Sequence, residues 1–238
     1  MRIIPAIDII DGKCVRLKQG DYNAKTIYNS NPVEVAKIFE DNGIKFLHLV
    51  DLDGAKSGKI VNYKVLESIA QATSLTIDFG GGVKSDNDIE LAFNSGASQV
   101  TCGSIAVKQP EKVFEWIENY GSEKLILGAD VKNKMVATSG WTETSSVTID
   151  NLLLNFLPKN LRTVICTDIS TDGMLQGPNI DLYNELLHNH PSIRLIASGG
   201  VSCIEDVQQL KKKGLYGVII GKAIYENKIS LKDLSDYA

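Results

Sequence analysis

Short runs of apolar residues recur along the whole chain and predict its architecture. Each run is about the length of a strand, and most lack the polar alternation of a sheet with one face in water. Such runs are typical of strands that are covered on both faces, as in a parallel sheet. They lie at 3–8, 46–51, 75–79, 99–102, 125–130, 163–168, 194–198 and 217–220.

Helical patterns separate these runs, and several of their ends carry clear signals. Asn31 and Pro32 suit the first positions of a helix. Ser85 is a second helix cap, and Ser202 with Glu205 has the spacing of a capping box. Eight strand–helix units of about 30 residues each account for the full length. The pattern therefore predicts an α/β protein, a single (β/α)8 TIM barrel that spans 1–238.

The chain also repeats itself, which predicts two repeated half-barrels within this single domain. Each matching pair is separated by the same 118 residues, as from 81 to 199. The pairs are Gly81-Gly82-Val83 with Gly199-Gly200-Val201, Asp88 with Asp206, Gly96 with Gly214, Val100 with Val218 and Gly103 with Gly221. We expect the halves to span about 1–122 and 123–238.

Composition and charge argue against a membrane protein, a secreted protein and a nucleic-acid-binding protein. The 238 residues carry a net charge of −4 and are 43% hydrophobic, as expected of a globular protein. No apolar run reaches the roughly 18 residues of a membrane span, and Asp8 comes too early for a signal peptide. Without a long basic cluster, we expect neither a nucleic-acid nor a membrane partner. The expected state is a monomer.

The cysteines and histidines give little support for metal or nucleophile chemistry. The widely spaced cysteines contain no CxxC motif, which indicates reduced thiols in a cytoplasm rather than a disulfide or metal framework. His48 lies inside an apolar run and is interpreted as a packed strand residue. His188 and His190 follow a predicted helix and are interpreted as solvated. Acid–base chemistry then depends on carboxylates.

Paired glycine motifs predict two phosphate sites. Gly81-Gly82 and Gly199-Gly200 each follow a predicted strand, and Gly103-Ser104 and Gly221-Lys222 each precede a helical signal. Glycine lets backbone N–H groups approach an anion closely, and a helix N-terminus adds a favourable dipole. Barrel enzymes often bind phosphate after strands 7 and 8. Two such cradles imply a small molecule with a phosphate at each end.

Carboxylates end four of the predicted strands, on the side where barrel active sites are built. They are Asp8, Asp51, Asp130 and Asp168. Asp8 and Asp130 hold equivalent places in the two halves, so they are candidates for a base and an acid on opposite sides of a substrate. Asp51 is the weaker candidate, because Lys56 or Lys59 could pair with it.

Long loops after the strands supply further binding candidates. The segment 11–21, which contains Gly20, is long enough to fold over the site. Trp141 follows the fifth strand and could stack on a planar heterocycle, although a packed aromatic is an equal alternative. The segments 51–58 and 167–179 are rich enough in glycine to close and reopen, and Gly177 lies in the second.

These motifs are similar to those of a known family. The most specific segments are 4–17, Gln19-Gly20-Asp21-Tyr22, 51–55, 168–173 and 177–179. From Ile4 to about Tyr225 the chain resembles the phosphoribosylformimino-5-aminoimidazole carboxamide ribotide (ProFAR) isomerases of histidine biosynthesis. The resemblance implies an Amadori rearrangement of an aminoaldose to an aminoketose, on a substrate with two phosphoribosyl groups. It implies no metal and no organic cofactor.

The resemblance also implies roles for individual residues. Asp8 matches the base that removes the proton from ribose C2′, and Asp130 matches the second carboxylate, an acid. Asp172 matches an acid that opens the ribose ring, so the proton donor stays open between Asp130 and Asp172. Thr167 matches a hydroxyl near the reacting sugar. Lys84 stands where the family often has arginine, which leaves a charge for phosphate but not a bidentate fork.

Three alternatives stay open at this level. The cyclase subunit of imidazole glycerol phosphate synthase shares the cradles and the paired carboxylates, but the segments 16–21 and 51–55 resemble the isomerase. A bifunctional isomerase that also accepts phosphoribosylanthranilate would favour extra active-site arginines, and the chain has only four arginines. A non-catalytic phosphosugar-binding barrel would not need both Asp8 and Asp130.

Overall fold

Eight parallel strands close into a barrel in the computed structural model, which describes residues 1–18 and 20–237. Gln19, part of one family-like motif, lies outside the described residues. The strands are β1 (Arg2–Ile10), β2 (Lys13–Lys18), β3 (Asp21–Asn29), β4 (Phe46–Asp51), β5 (Thr76–Gly80), β6 (Gln99–Cys102), β7 (Leu125–Lys132), β8 (Met135–Thr138), β9 (Glu143–Thr148), β10 (Thr163–Asp168), β11 (Arg194–Ser198) and β12 (Gly217–Ile220). The barrel runs β1-β4-β5-β6-β7-β10-β11-β12, and β12 pairs in parallel with β1. All eight predicted barrel strands are confirmed.

Helices connect the barrel strands, as the (β/α)8 prediction requires. They are α1 (Pro32–Asp41), α2 (Leu52–Ser57), α3 (Tyr63–Ala72), α4 (Asp86–Asn94), α5 (Ser104–Lys108), α6 (Pro110–Tyr120), α7 (Ile149–Phe156), α8 (Ile180–Asn189), α9 (Ile204–Lys212), α10 (Lys222–Tyr225) and α11 (Leu231–Ser235). Asn31 caps α1 and Ser85 caps α4, as predicted. None of the helices in the described ranges combines the length and the apolar composition needed to cross a bilayer.

The core has two layers that follow from the alternation along the strands. Inside the barrel, six apolar side chains fill the lower part: Ile4, Ala6, Ile126, Ile165, Ile196 and Ile219. Outside it, a larger cluster lies between strands and helices and includes Phe79, Trp116, Phe156 and Tyr183, all buried. This packing fixes the barrel and leaves its upper end open for a site.

Two predicted loops are antiparallel hairpins instead. β1 continues through a tight turn into β2 and then β3, and β7 continues into β8 and β9. Asp11 and Gly12 have φ values of 52° and 72°, and Asn133 and Lys134 have 51° and 65°. Two successive left-handed residues form the turn that matches the twist of a hairpin. The Asp-Gly pair was therefore a hairpin signal that the loop interpretation missed.

Two local predictions are wrong. The carboxylate that caps α9 is Asp206, not Glu205, and it accepts hydrogen bonds from the backbone N–H and the hydroxyl of Ser202, both at 2.8 Å. His190 is not solvated: it is 8% exposed, and its Nε2 lies 2.8 Å from Asp150 Oδ1. The exposed His188 agrees with the prediction.

All four cysteines are free thiols, and burial raises the pKa of Cys14 and Cys102 to about 12.

Candidate active site

A cavity of about 260 Å³ opens at the carboxyl ends of the barrel strands and collects nearly all predicted site residues. Its lining includes the predicted catalytic residues Asp8, Asp130, Thr167 and Asp172. It also includes the predicted binding residues Gly20, Gly81, Gly82, Gly103, Ser104, Trp141, Gly199, Gly200, Gly221 and Lys222. The topology thus brings together carboxylates that are up to 164 residues apart, from 8 to 172.

Gly177 does not line this cavity. Its backbone N–H donates to the carbonyl of Gly200 at 2.9 Å. A Cβ on Gly200 would lie 2.2 Å from the carbonyl oxygen of Gly177, so the two backbones are in direct contact. Gly177 therefore supports the Gly199-Gly200 turn from behind and lies outside the ligand-facing surface.

The glycine pairs have matching backbone conformations in the two parts of the barrel. Gly81 and Gly82 have φ values of 95° and 84°, and Gly199 and Gly200 have 94° and 87°. A Cβ on Gly82 would lie 2.6 Å from the backbone of Lys59. Positive φ and close backbone approach both require glycine here. The turns themselves therefore account for these glycines, whether or not they also bind phosphate.

Gly103 and Gly221 differ in what surrounds them. They precede α5 and α10 with similar conformations, at φ −93° and ψ −102° for Gly103 and φ −112° and ψ −93° for Gly221. A Cβ on Gly103 would meet nothing within 4 Å, whereas one on Gly221 would lie 1.9 Å from a guanidinium nitrogen of Arg16. The first position is open cavity, and the second is covered by an arginine.

Arg16 is a site residue that the sequence analysis did not single out. The β1–β2 hairpin places its Nη1 2.6 Å from Asp8 Oδ2 and its Nη2 3.1 Å from the carbonyl oxygen of Ala6. The hairpin folds β2 back along β1, with Val15 as the register partner of Asp8, and so carries Arg16 close to Asp8. Arg16 thus joins the predicted base to the backbone around Gly221. The Asp11-Gly12 turn, which folds the strand back, was the available signal.

Asp172 is the carboxylate whose surroundings favour a proton. Burial, with a smaller effect of the Asp8 and Asp130 carboxylates, raises its pKa to about 6 against the opposing charges of Arg16 and Lys222. Lys222 also donates from Nζ to the carbonyl of Gly173 at 2.8 Å, which holds the Asp172 turn next to the second glycine pair. A carboxyl group of this kind can donate a proton near neutral pH.

Asp130 has a different environment, because the indole of Trp141 covers it. Trp141 Nε1 donates to Asp130 Oδ2 at 2.8 Å. A Cβ on Gly20 would lie 2.8 Å from Cε3 of the same indole. The β2–β3 and β8–β9 hairpins therefore meet over the cavity at Gly20 and Trp141, with Asp130 beneath them.

Asp51 and Asp168 cap loops and are not among the residues that line the cavity, so the structure gives no support to Asp51, the weaker candidate acid. Asp51 is fully buried and accepts hydrogen bonds from the backbone N–H groups of Gly54, Val61 and Asn62 and from the Asn62 amide. Asp168 accepts from Ser170 and from the Asn179 amide. Backbone and amide donors, not Lys56 or Lys59, satisfy Asp51.

Two further cavity residues complete the site. His48 is a largely buried residue of β4, as predicted, and it also lines the cavity; Lys84 lines the cavity beside the first glycine pair. The alternation of β4 directs His48 inward, but its apolar neighbours in the sequence concealed this. Within residues 1–18 and 20–237, no group of three or more His, Cys, Asp or Glu side chains is arranged to hold a metal ion.

Comparison of the sequence with known proteins identifies the family of this chain. A sequence profile of the family described as histidine biosynthesis protein matches residues 2–230. A protein of Flavobacterium psychrophilum is 59% identical over 237 residues, which cover 100% of this chain and 98% of that protein. A protein of Parabacteroides distasonis is 60% identical over 234 residues, which cover 98% of both chains.

A third relative, from Cytophaga hutchinsonii, is 58% identical over 237 residues, which cover 100% of this chain and 99% of that protein. All three are named 1-(5-phosphoribosyl)-5-((5-phosphoribosylamino)methylideneamino)imidazole-4-carboxamide isomerase. The family profile covers nearly the whole barrel, from the start of β1 to the residue before α11. The chain belongs to the histidine biosynthesis protein family.

Proposed function

We propose that the chain is the isomerase that converts ProFAR, an aminoaldose, to its phosphoribulosyl isomer by carboxylate acid–base catalysis in histidine biosynthesis. The relatives that carry this activity in their names match it over the full length. One observation carries the chemical part of the proposal. Asp8, Asp130 and Asp172 line a single cavity between two glycine turns, and burial gives Asp172 a pKa of about 6.

The two glycine turns anchor the two phosphates of the substrate in this proposal. Gly81-Gly82 with Gly103-Ser104 forms one cradle, and Lys84 adds a positive charge beside it. Gly199-Gly200 with Gly221-Lys222 forms the other. Backbone N–H groups at such turns and at helix starts suit an anion. Trp141 lines the same cavity, where an indole can stack on the imidazole of the substrate.

The rearrangement then needs one acid and one base. Asp172 donates its proton to the ring oxygen, the bond from that oxygen to C1′ breaks, and a C1′–nitrogen double bond forms. Asp8 removes the proton from C2′, and the electron pair forms a C1′–C2′ double bond while the nitrogen recovers its own pair. C1′ then gains a proton and O2′ loses one, which gives the ketose. No atom is gained or lost, and Thr167 binds a sugar hydroxyl.

Asp172 is the better proton donor of the two acids left open by the sequence. Burial and two neighbouring carboxylates favour its protonated form. Asp130 already accepts a hydrogen bond from the Trp141 indole, so its role in this proposal is to orient that ring and to balance charge. Arg16 donates a hydrogen bond to Asp8 at 2.6 Å, which orients the carboxylate that acts as the base in this proposal.

The alternatives are weaker. The relatives described above are named as isomerases, which favours this activity over the cyclase and over a non-catalytic barrel. Of the four arginines, all described, Arg16 alone lines the cavity. A second substrate with a carboxylate, phosphoribosylanthranilate, would therefore find one arginine that is already paired with Asp8.

We also propose that the barrel is built from two equivalent halves, about 1–122 and 123–238. Asp88 and Asp206 support this, because each accepts from the backbone before its helix in the same way. Asp51 with Asn62 and Asp168 with Asn179 form equivalent caps. If the halves are separate folding units, two co-expressed fragments divided at 122/123 should assemble into active enzyme; inactive fragments would weaken the proposal.

The expected setting is a monomer that acts in the cytoplasm on a bis-phosphorylated small molecule, without nucleic-acid or membrane partners. Free thiols at all four cysteines suit a reducing compartment.

An absorbance assay of the purified protein with ProFAR tests the activity. The expected result is a product that the cyclase–glutaminase consumes in a coupled reaction. Failure to convert ProFAR, in a folded sample that still binds it, would contradict the isomerase and favour the cyclase or a binding protein.

A further inference from the structure

A histidine–aspartate pair lies on the floor of the cavity and takes no part in the reaction described above. His48 on β4 faces Asp78 on the adjacent β5, with Nδ1 2.5 Å from Oδ2. Thr101 on β6 donates its hydroxyl to the other oxygen of Asp78. His48 and Thr101 line the same cavity as Asp8. Three neighbouring strands therefore hold one imidazole ring beneath the reacting groups.

Packing alone does not account for this pair. The side chains of His48 and Asp78 are only 13% and 10% exposed. A buried ion pair contributes little net stability, because the loss of hydration offsets the attraction between the charges. The apolar cluster inside the barrel, which includes Ile126 and Ile165, packs without any charge. A charged pair at this depth therefore points to a use in the cavity.

The surrounding charges favour the imidazolium form of His48. Burial lowers the pKa of His48, but the charge and hydrogen bond of Asp78 and the charge of Asp8 outweigh it and raise the pKa. Arg16 acts in the opposite direction and does not reverse this result. The groups that face His48 from β5, β1 and β2 thus give a cation close to the carboxylates of the site.

The His48 side chain lines the cavity, and its second ring nitrogen, Nε2, is not the one that faces Asp78. Asp78 occupies Nδ1, and no protein group in the described ranges is bonded to Nε2. We propose, on the basis of the isomerase function above, that Asp78 is a positioning residue. It holds the His48 imidazolium so that Nε2–H donates to an oxygen of the reacting sugar and balances the negative charge of the site.

NMR titration of the histidine side chains tests the charge of the pair without any turnover. The chain has three histidines, and His48→Gln identifies the signal of His48. We expect Asp78→Asn to lower the midpoint of the His48 titration by about one pH unit or more. Thr101→Val removes one hydrogen-bond donor from Asp78 and should move the midpoint by a smaller amount. An unchanged midpoint in both variants would overturn the proposal.

Kinetics as a function of pH test the contact with the substrate. Since the variant loses the imidazolium at lower pH, the ratio of wild-type to Asp78→Asn kcat should grow from about twofold at pH 6 to tenfold or more at pH 8. His48→Gln should lower kcat by about tenfold or more at both pH values, with little change in KM, because the phosphates dominate binding. A ratio that is constant with pH would reduce Asp78 to a structural residue and overturn the proposal.

Asp150→Asn is the matched control. It breaks a second His–Asp pair, Asp150 with His190, that lies outside the cavity, and it should leave the pH profile unchanged. If Asp78→Asn does not fold, Thr101→Val carries the titration and His48→Gln carries the kinetic test. If the wild type does not isomerise ProFAR, the proposed function fails, while the titration still decides whether Asp78 holds a charged His48.

Discussion

At the scale of single residues, the sequence identified the groups of the site but not how they meet. Asp8, Asp130 and Asp172 could be predicted because each follows a strand or lies in a recognisable motif. Arg16 and Asp78 could not, because their partners are set by a hairpin turn and by strand register. His48 was predicted as a packed strand residue, but its place in the cavity lining was missed, because apolar neighbours in sequence do not reveal an inward-facing position.

Asp172 gives the first prediction. In the proposed mechanism the protonated form of Asp172 is the donor, and its pKa is about 6, so kcat/KM should fall as pH rises through this value, by about tenfold per pH unit at the limit. Asp172→Asn should have low activity and no such decline. Rate measurements from pH 5 to 8 check this, and an alkaline decline retained by the variant would contradict the assignment.

The raised pKa of Asp172 also predicts that its carboxylate form destabilises the folded protein. Asp172 has a pKa above its value in the unfolded chain, so its favourable contribution is complete at low pH and is lost as pH rises through about 6. Asp172→Asn should therefore raise the Tm at pH 8 and change it little at pH 4. Calorimetry at the two pH values measures the difference; a lower Tm at pH 8 would show that the carboxylate is stabilising.

Substitutions of Gly103 and Gly221 by alanine form a matched pair of experiments. Gly103→Ala places a methyl group in open cavity, so KM should rise by about tenfold or more with kcat and Tm nearly unchanged. Gly221→Ala collides with Arg16, so it should also lower kcat by moving Arg16 away from Asp8. Steady-state kinetics distinguish the two. Equal effects on kcat would contradict the role given to Arg16.

At the scale of elements, the barrel strands were predicted from the sequence, and the two hairpins were missed. A strand buried on both faces is a continuous apolar run, which is why all eight barrel strands were predicted. β3 lies largely at the surface and β9 is mostly polar, so neither produces such a run. Their positions depend on the turns at Asp11-Gly12 and Asn133-Lys134, where two consecutive residues adopt positive φ.

Asp51 gives a prediction at this scale, because it ties α2 to the start of α3. Asp51→Ala would leave the buried donors of Gly54, Val61 and Asn62 without an acceptor. The free energy of unfolding should fall by about 3 kcal/mol or more, as measured by urea denaturation. Asp51→Asn keeps one acceptor oxygen and should lose less. Full stability with lost turnover would instead restore Asp51 as a candidate acid.

At the scale of the whole molecule, the barrel gathers residues from nearly its entire length around one cavity, with a charge network inside it. Arg16, Lys222 and His48 face the carboxylates Asp8 and Asp172. We expect this network to be complete within one chain. Light scattering should then give a mass near 26.0 kDa, and a mass of about twice that would contradict the monomer.

The most direct test of the central claim, that Asp8 is the base of a ProFAR isomerase, is a comparison of turnover and substrate binding in Asp8→Asn. The amide preserves the shape of the side chain and cannot take the C2′ proton. We predict a loss of about a thousandfold or more in kcat, with an unchanged fold and a Kd for ProFAR close to that of the wild type. Turnover at the wild-type rate would contradict the account.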